Sequence, residues 1–260
     1  MDEEPLIFDT HAHYDDEKFD SDREDFLLTP QKHGVAGIVN VGGDLKSSKL
    51  GLDYSRKYSD VYCSVGVHPH EVHGLPDDYL DVLKELGSNE KVVAIGEIGL
   101  DYHSDSDSKK EQIKRFEEQL DLAARLNLPV IVHSRDACQD TMAVLANAKP
   151  MAFVVHCFSY EPETASDVLG MGGFLGFTGV LTFKNAEKIK EVLEEVPLER
   201  MLVETDCPYL APEPFRGQRC DSGMLKFMVQ AMVSVRRKSF KEMVTILNAN
   251  AKRFYRITGE

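Results

Sequence analysis

The chain has 260 residues, and its 42% hydrophobic content is enough for a sizeable buried core. Thirty basic against forty-four acidic residues leave a net charge of −14, which argues against a broad basic face that coats nucleic acid. No apolar stretch approaches the roughly 20 residues of a membrane span, and the acidic start Met-Asp-Glu-Glu-Pro lacks the basic-then-apolar pattern of a secretory signal.

The expected location is therefore cytoplasmic, with no membrane partner. The length matches one (β/α)8 barrel, usually about 250 residues. No Pro/Gly/Ser-rich linker interrupts it, so residues 1–260 are expected to form one domain. The five cysteines, Cys63, Cys138, Cys157, Cys207 and Cys220, are odd in number and lack Cys-x-x-Cys spacing. That argues against a disulfide framework and a zinc knuckle.

Apolar, β-branched runs alternate with amphipathic stretches along the chain. The first strand is expected over 5–10 and leads into Phe8-Asp9-Thr10-His11-Ala12-His13. Residues i and i+2 leaving a strand point the same way, so both imidazoles can bind one ion. The acidic run from Asp15 to Asp25 reads as a solvated loop and helix start. Strands over 35–42 and 61–67 follow, and the second delivers His68 to a strand mouth, where it could touch a phosphate or leaving group. His70 and His73 read as ordinary loop residues.

The strand over 91–98 carries Gly96-Glu97-Ile98-Gly99-Leu100-Asp101-Tyr102. Glu97, beside two glycines, has room to bridge two ions, and Asp101 could orient a histidine. A helix is expected over 108–126, with Ile113, Phe116, Leu120 and Ala123 at helical spacing. Strands over 128–133 and 151–156 end in His133 and His156. Ser134 or Asp136 is expected to cap the next helix, while Arg135 offers a cation for a phosphate. Cys157 and Cys207 read as small thiols beside the site rather than ligands.

A strand over 172–177 and a helix over 184–195 precede the last strand, 200–205. There Asp206 can hold an ion and take the proton of an attacking water, with Glu204 supporting a ligand. A stiff, proline-bearing loop over 211–221 carries Arg216, a second phosphate candidate, before helices over 222–237 and 239–256.

A parallel barrel gathers the carboxyl ends of its strands on one face, so these scattered residues can share a site. Four histidines and two carboxylates, His11, His13, Glu97, His133, His156 and Asp206, suit one or two divalent ions.

Asp9-Thr10-His11-Ala12-His13, Gly66-Val67-His68-Pro69, Gly96 to Tyr102, His133-Ser134-Arg135, His156-Cys157-Phe158-Ser159 and Glu204 to Pro212 follow one another. In these motifs the chain resembles the TatD family of metal-dependent deoxyribonucleases, within the amidohydrolase superfamily. The resemblance implies a (β/α)8-like barrel with two divalent ions, Mg²⁺, Zn²⁺ or Mn²⁺. His11, His13 and Asp206 would hold one, His133 and His156 the other, with Glu97 bridging. It implies cleavage of phosphodiesters in DNA, including 3′-end exonuclease activity; the sequence leaves the choice between DNA and RNA open. The chain departs from the family pattern at Tyr160, where glycine is usual, and at Cys220-Asp221-Ser222, where an Asn and a Pro are usual.

The expected function is thus a 3′–5′ exonuclease on single-stranded DNA ends, with Glu97 and Asp206 catalytic and His68, Arg135 and Arg216 holding phosphates. Tyr160 or Tyr209 could stack a terminal base. Two rivals stand beside it: a metal-dependent ester or amide hydrolase on aminoacyl-tRNA or a small molecule, and a non-catalytic metal-binding barrel. Two or more rim cations favour the nuclease, and a closed apolar pocket favours the small-molecule enzyme.

Overall fold

All eight expected apolar runs form strands, and all eight strands are parallel. They are β1 (Ile7–Ala12), β2 (Val35–Val41), β3 (Val61–Val65), β4 (Val92–Asp101), β5 (Val130–Arg135), β6 (Phe153–Val155), β7 (Phe174–Phe177) and β8 (Met201–Val203). Each pairs with its sequence neighbour, in the order β1 to β8. The ring is drawn shut where Ala12 bridges Cys207 and where the His13 amide donates to the Cys207 carbonyl at 2.8 Å. This computed structural model describes residues 4–103 and 108–258, so residues 1–3 of the acidic start lie outside the described residues.

The intervening helices are α1 (Arg23–Leu28), α2 (Leu45–Lys57), α3 (Tyr79–Gly87), α4 (Lys109–Leu126), α5 (Cys138–Ala148), α6 (Pro162–Gly170), α7 (Glu187–Glu195), α8 (Leu225–Arg236) and α9 (Phe240–Tyr255). Local chemistry explains their ends. Asp44 with Ser47, and Ser239 with Glu242, form reciprocal capping boxes at α2 and α9. Asn127 ends α4 in a left-handed conformation that asparagine tolerates. The expected inward face of α4 is buried at Phe116, Leu120 and Ala123, as helical periodicity requires.

Two expectations are corrected. Neither Ser134 nor Asp136 caps α5; Ala137 stands at its N-cap without a side-chain bond. And β1, β4 and β5 run past their expected ends, so His11, expected just after the first strand, lies within it. The ladder is made by backbone groups, so it continues through polar residues wherever their side chains find partners. All ten residues of β4 are buried, Glu97 and Asp101 among them.

A small apolar cluster that includes Val39, Val41, Ala94, Ile131, Val154 and Leu202, with Phe254 and Tyr255 of α9, fills the barrel interior. His133 and His156 stand two residues beyond Ile131 and Val154, on the same strand face. The imidazoles therefore crown the interior plug.

Candidate metal centre

Backbone proximity between β4 and β5 starts the site. Gly99 pairs with His133, and Asp101 with Arg135. A Cβ on Gly99, whose φ is +146°, would stand 1.9 Å from the His133 carbonyl oxygen. Only glycine fits there. The close approach sets His133 between two carboxylates: its Nδ1 is 2.7 Å from Glu97 Oε1, and its Nε2 is 3.0 Å from Asp101 Oδ2.

On the opposite wall His11 and His13 turn their Nε2 atoms to within 3.1 Å of one another. Glu97 Oε2 lies 3.5 Å from His11 Nε2 and 3.9 Å from His13 Nε2. Asp206 Oδ1 completes the set at 3.6 Å and 3.3 Å from the same two nitrogens. His13 Nδ1–H donates to the Val41 carbonyl at 3.0 Å, and His156 Nδ1–H to Glu204 Oε1 at 2.8 Å. Fixing one ring nitrogen in this way aims the other at the centre. The His156 ring stacks on His11 with centroids 3.6 Å apart.

Three overlapping triads have ligand atoms within 4.8 Å of one another: His11, Glu97 and His156; His11, His13 and Asp206; and His68, Glu97 and His133. All six expected ligands and His68 thus converge, and Glu97 is shared by two triads. Two imidazole nitrogens face one another among carboxylate oxygens, a donor set of nitrogen and oxygen that fits divalent cations such as Zn²⁺ and Mn²⁺. Cysteine takes no part in these triads. Burial pushes the Cys157 and Cys207 thiols well above the usual range, and the Cys157 sulfur faces Thr178 Oγ1 at 3.4 Å.

Electrostatics agree with this placement. Burial opposes charge on His156, yet Glu204, Asp206 and Glu97 outweigh it and raise its pKa to about 10. His13 is likewise raised to about 9, burial being overcome by Asp206 and Glu97. Burial would raise Glu97 and Asp206, but the surrounding imidazoles hold both below their usual range, so both are carboxylates at neutral pH. His68 is lowered to about 3, chiefly by burial, and stays neutral.

The site opens into a cleft of about 600 Å³ whose lining includes His68, His70, His133, Arg135 and Tyr209. Asp15, Asp16, Asp44 and Glu71 also line it, so part of the acidic run expected to be a solvated loop faces the mouth. Arg135 is the one Lys or Arg among the described lining residues. Arg216 does not reach the cleft: its guanidinium stacks 4.1 Å above the Phe183 ring. Tyr209 is 47% exposed at the rim, whereas Tyr160 packs against the hydrophobic core and does not line the cleft.

Sequence reasoning passed over two residues. His70, read as a loop residue, places Nε2 3.1 Å from Asp101 Oδ2; its i, i+2 spacing from His68 repeats the first motif. Asp9 is fully buried and accepts from the Thr205 amide at 3.0 Å and hydroxyl at 2.6 Å. It also accepts from the His11 amide at 3.3 Å, so it ties the first ligand strand to the last. Burial raises Asp9 to about 6, against bonds from Ser222 and Thr205. Its signal was the same alternation, Asp9, His11 and His13 on one strand face.

A family model described as TatD related DNase matches residues 8–256. The chain belongs to this family. It is a metal-dependent hydrolase with the TatD barrel fold. It is 39% identical to the uncharacterized metal-dependent hydrolase YabD of Bacillus subtilis, across 97% of this chain and 100% of that one. It is 32% identical to the 3′-5′ ssDNA/RNA exonuclease TatD of Dickeya dadantii, across 96% and 98% of the two chains. The crystal structure of the TatD homolog YJJV from Escherichia coli superposes with a TM-score of 0.91, at 29% identity, covering 97% of this chain and 98% of that one. No helix among the described residues is long and apolar enough to cross a membrane.

Proposed function

We propose that this hydrolase is a 3′–5′ exonuclease acting on phosphodiester bonds at single-stranded DNA ends, with RNA ends as a second substrate. The observation that carries the reading is the open, polar cleft with an unpaired guanidinium at its wall. The Arg135 guanidinium makes no hydrogen bond or ion pair among the described residues. A closed apolar pocket, the mark of the small-molecule rival, is not what this centre faces. Two relatives carry the printed name 3′-5′ ssDNA/RNA exonuclease TatD, which supports the same substrate class.

In this reading His11, His13 and Asp206 would hold one divalent ion and His133 and His156 the other, with Glu97 serving both. Such ions polarise a phosphoryl oxygen, lower the pKa of water and stabilise a leaving oxygen. The chain's own residues do the rest. Asp206, held ionised by its imidazole neighbours, accepts the proton of the attacking water. Arg135 pairs with a phosphate oxygen, and neutral His68 donates to the phosphate or the leaving oxygen. Glu204 keeps His156, and Asp101 keeps His133, in fixed orientation. The acidic mouth repels a long polyanion, and a single cation grips few phosphates, so a strand end is the fitting substrate.

The test compares end-labelled linear single-stranded DNA, linear RNA and circular single-stranded DNA across Mg²⁺, Mn²⁺ and Zn²⁺, with p-nitrophenyl acetate as control. Stepwise shortening from the 3′ end, with circles spared, is expected. Equal cutting of circles, or turnover of the small ester alone, refutes the proposal.

A further inference from the structure

Tyr160 lies outside the cleft, yet its hydroxyl holds both flanks of Arg135, the one Lys or Arg among the described lining residues. Its oxygen is 2.8 Å from Ser134 Oγ and accepts from the Ala137 amide at 3.3 Å. Ser134 in turn lies 2.8 Å from the hydroxyl of Thr141, which is fully buried on α5. Between these two anchor points stand just Arg135 and Asp136. Asp136 has a φ of +53°, a left-handed conformation that disfavours any residue with a Cβ and that a surrounding scaffold has to maintain. The Arg135 carbonyl accepts from the Tyr102 amide at 2.9 Å. Its guanidinium has no partner among the described residues, so the turn's backbone, which sets the direction of the Cα–Cβ bond, is what remains to orient it. The Tyr160 ring itself packs edge-on to Phe158, with centroids 6.0 Å apart.

We infer that Tyr160 is a positioning residue: through Ser134 and Ala137 it fixes the turn that aims Arg135 into the cleft, and thereby sets the affinity for the phosphate that Arg135 takes. The inference rests on the reading of Arg135 as a phosphate contact. At this position a glycine would remove the bonds to Ser134 and Ala137 that brace the turn, and leave it to the Ser134–Thr141 contact, the Tyr102 amide and the pairing of Asp136 with His103 at 2.8 Å. The tyrosine makes the turn rigid at the cost of occupying space beside the mouth.

Tyr160→Phe keeps the ring and its packing and deletes the hydroxyl. With a short oligothymidylate as substrate, KM should rise roughly three- to tenfold, the worth of one net hydrogen bond, while kcat stays within about twofold. The slope of log affinity against log salt should flatten by up to about 0.7, one phosphate contact on a single strand. Metal content should not change. Arg135→Ala should raise KM further, and adding Tyr160→Phe to it should have no additional effect, because both act through the same guanidinium. Additive losses in the double variant, or a fall in metal content, would show that Tyr160 acts on His133 or on the fold and would overturn the inference. An inert Tyr160→Phe beside a damaging Arg135→Ala overturns the brace alone. An inert Arg135→Ala overturns the phosphate reading, and the brace with it.

Discussion

The backbone amide of Asp206 donates to the carbonyl of His11 at 2.9 Å. This bond joins the segment after the last strand to the first strand, and it closes the ring at the depth of the site. With φ at +58°, Asp206 turns the chain sharply here, a conformation that aspartate tolerates better than most residues. The carboxylate is thereby delivered to both His11 and His13. The same bond lets the side chain be changed without moving the backbone, which makes position 206 a clean place to test chemistry.

Asp206→Asn should lower kcat by roughly 10²–10⁴, the usual worth of a positioned base, with much of the bound metal retained. An amide keeps the shape and a ligating oxygen but cannot take a proton. Turnover at saturating metal measures it. A loss below about tenfold would assign the proton to another group.

Glu97→Gln should remove at least one ion and most activity while the barrel stays folded. Glu97 Oε1 and Oε2 face different imidazoles, His133 and His11, so one neutral amide cannot serve both sides with negative charge. Elemental analysis of the purified variant, with circular dichroism as the fold control, decides the matter. Full double occupancy with wild-type turnover rules out bridging.

Glu204→Gln tests support from outside the centre. Glu204 Oε1 accepts from His156 Nδ1 at 2.8 Å and from the Cys157 amide at 2.7 Å. Loss of such a carboxylate behind a ligating histidine typically weakens metal affinity about 10–100-fold. Titration against a competing chelator reads the change, and unaltered affinity would leave Glu204 a purely structural residue.

Metal uptake should release protons. His13, raised to about 9, and His156, raised to about 10, are protonated at neutral pH in metal-stripped protein, and a coordinating imidazole nitrogen must give up its proton. Affinity should therefore climb as pH rises from about 7 towards 9, with about two protons released at pH 7 when both ions bind, one from each of these histidines. Calorimetry in buffers of different ionisation heat gives the number. The same shifts affect folding of the metal-stripped protein with a definite sign. Raised imidazole values stabilise it fully below the ordinary histidine value of 6.5, and this contribution is lost as pH rises through about 9 to 10. Melting temperature should fall across that window without metal. A melting temperature that climbs there would contradict the charge arrangement.

The number and order of strands, their parallel pairing and the candidate ligands at their mouths were legible in the sequence. Those properties are largely local: a short β-branched run bounded by turn residues favours a strand, and a parallel βα repeat brings every strand end to one face. The tertiary structure alone decided which polar groups meet. Asp9 was hidden because its partner, Thr205, lies at the far end of the chain and is reached only when the ring closes. Asp101 and His133 meet because Gly99 lets β4 press against β5, a close approach that depends on register. Arg135 and Arg216 look alike as loop cations, yet one lines the cleft and the other stacks on Phe183. The direction of a long side chain is set by the turn beneath it and by the rings beside it, and neither is a property of its own stretch of sequence.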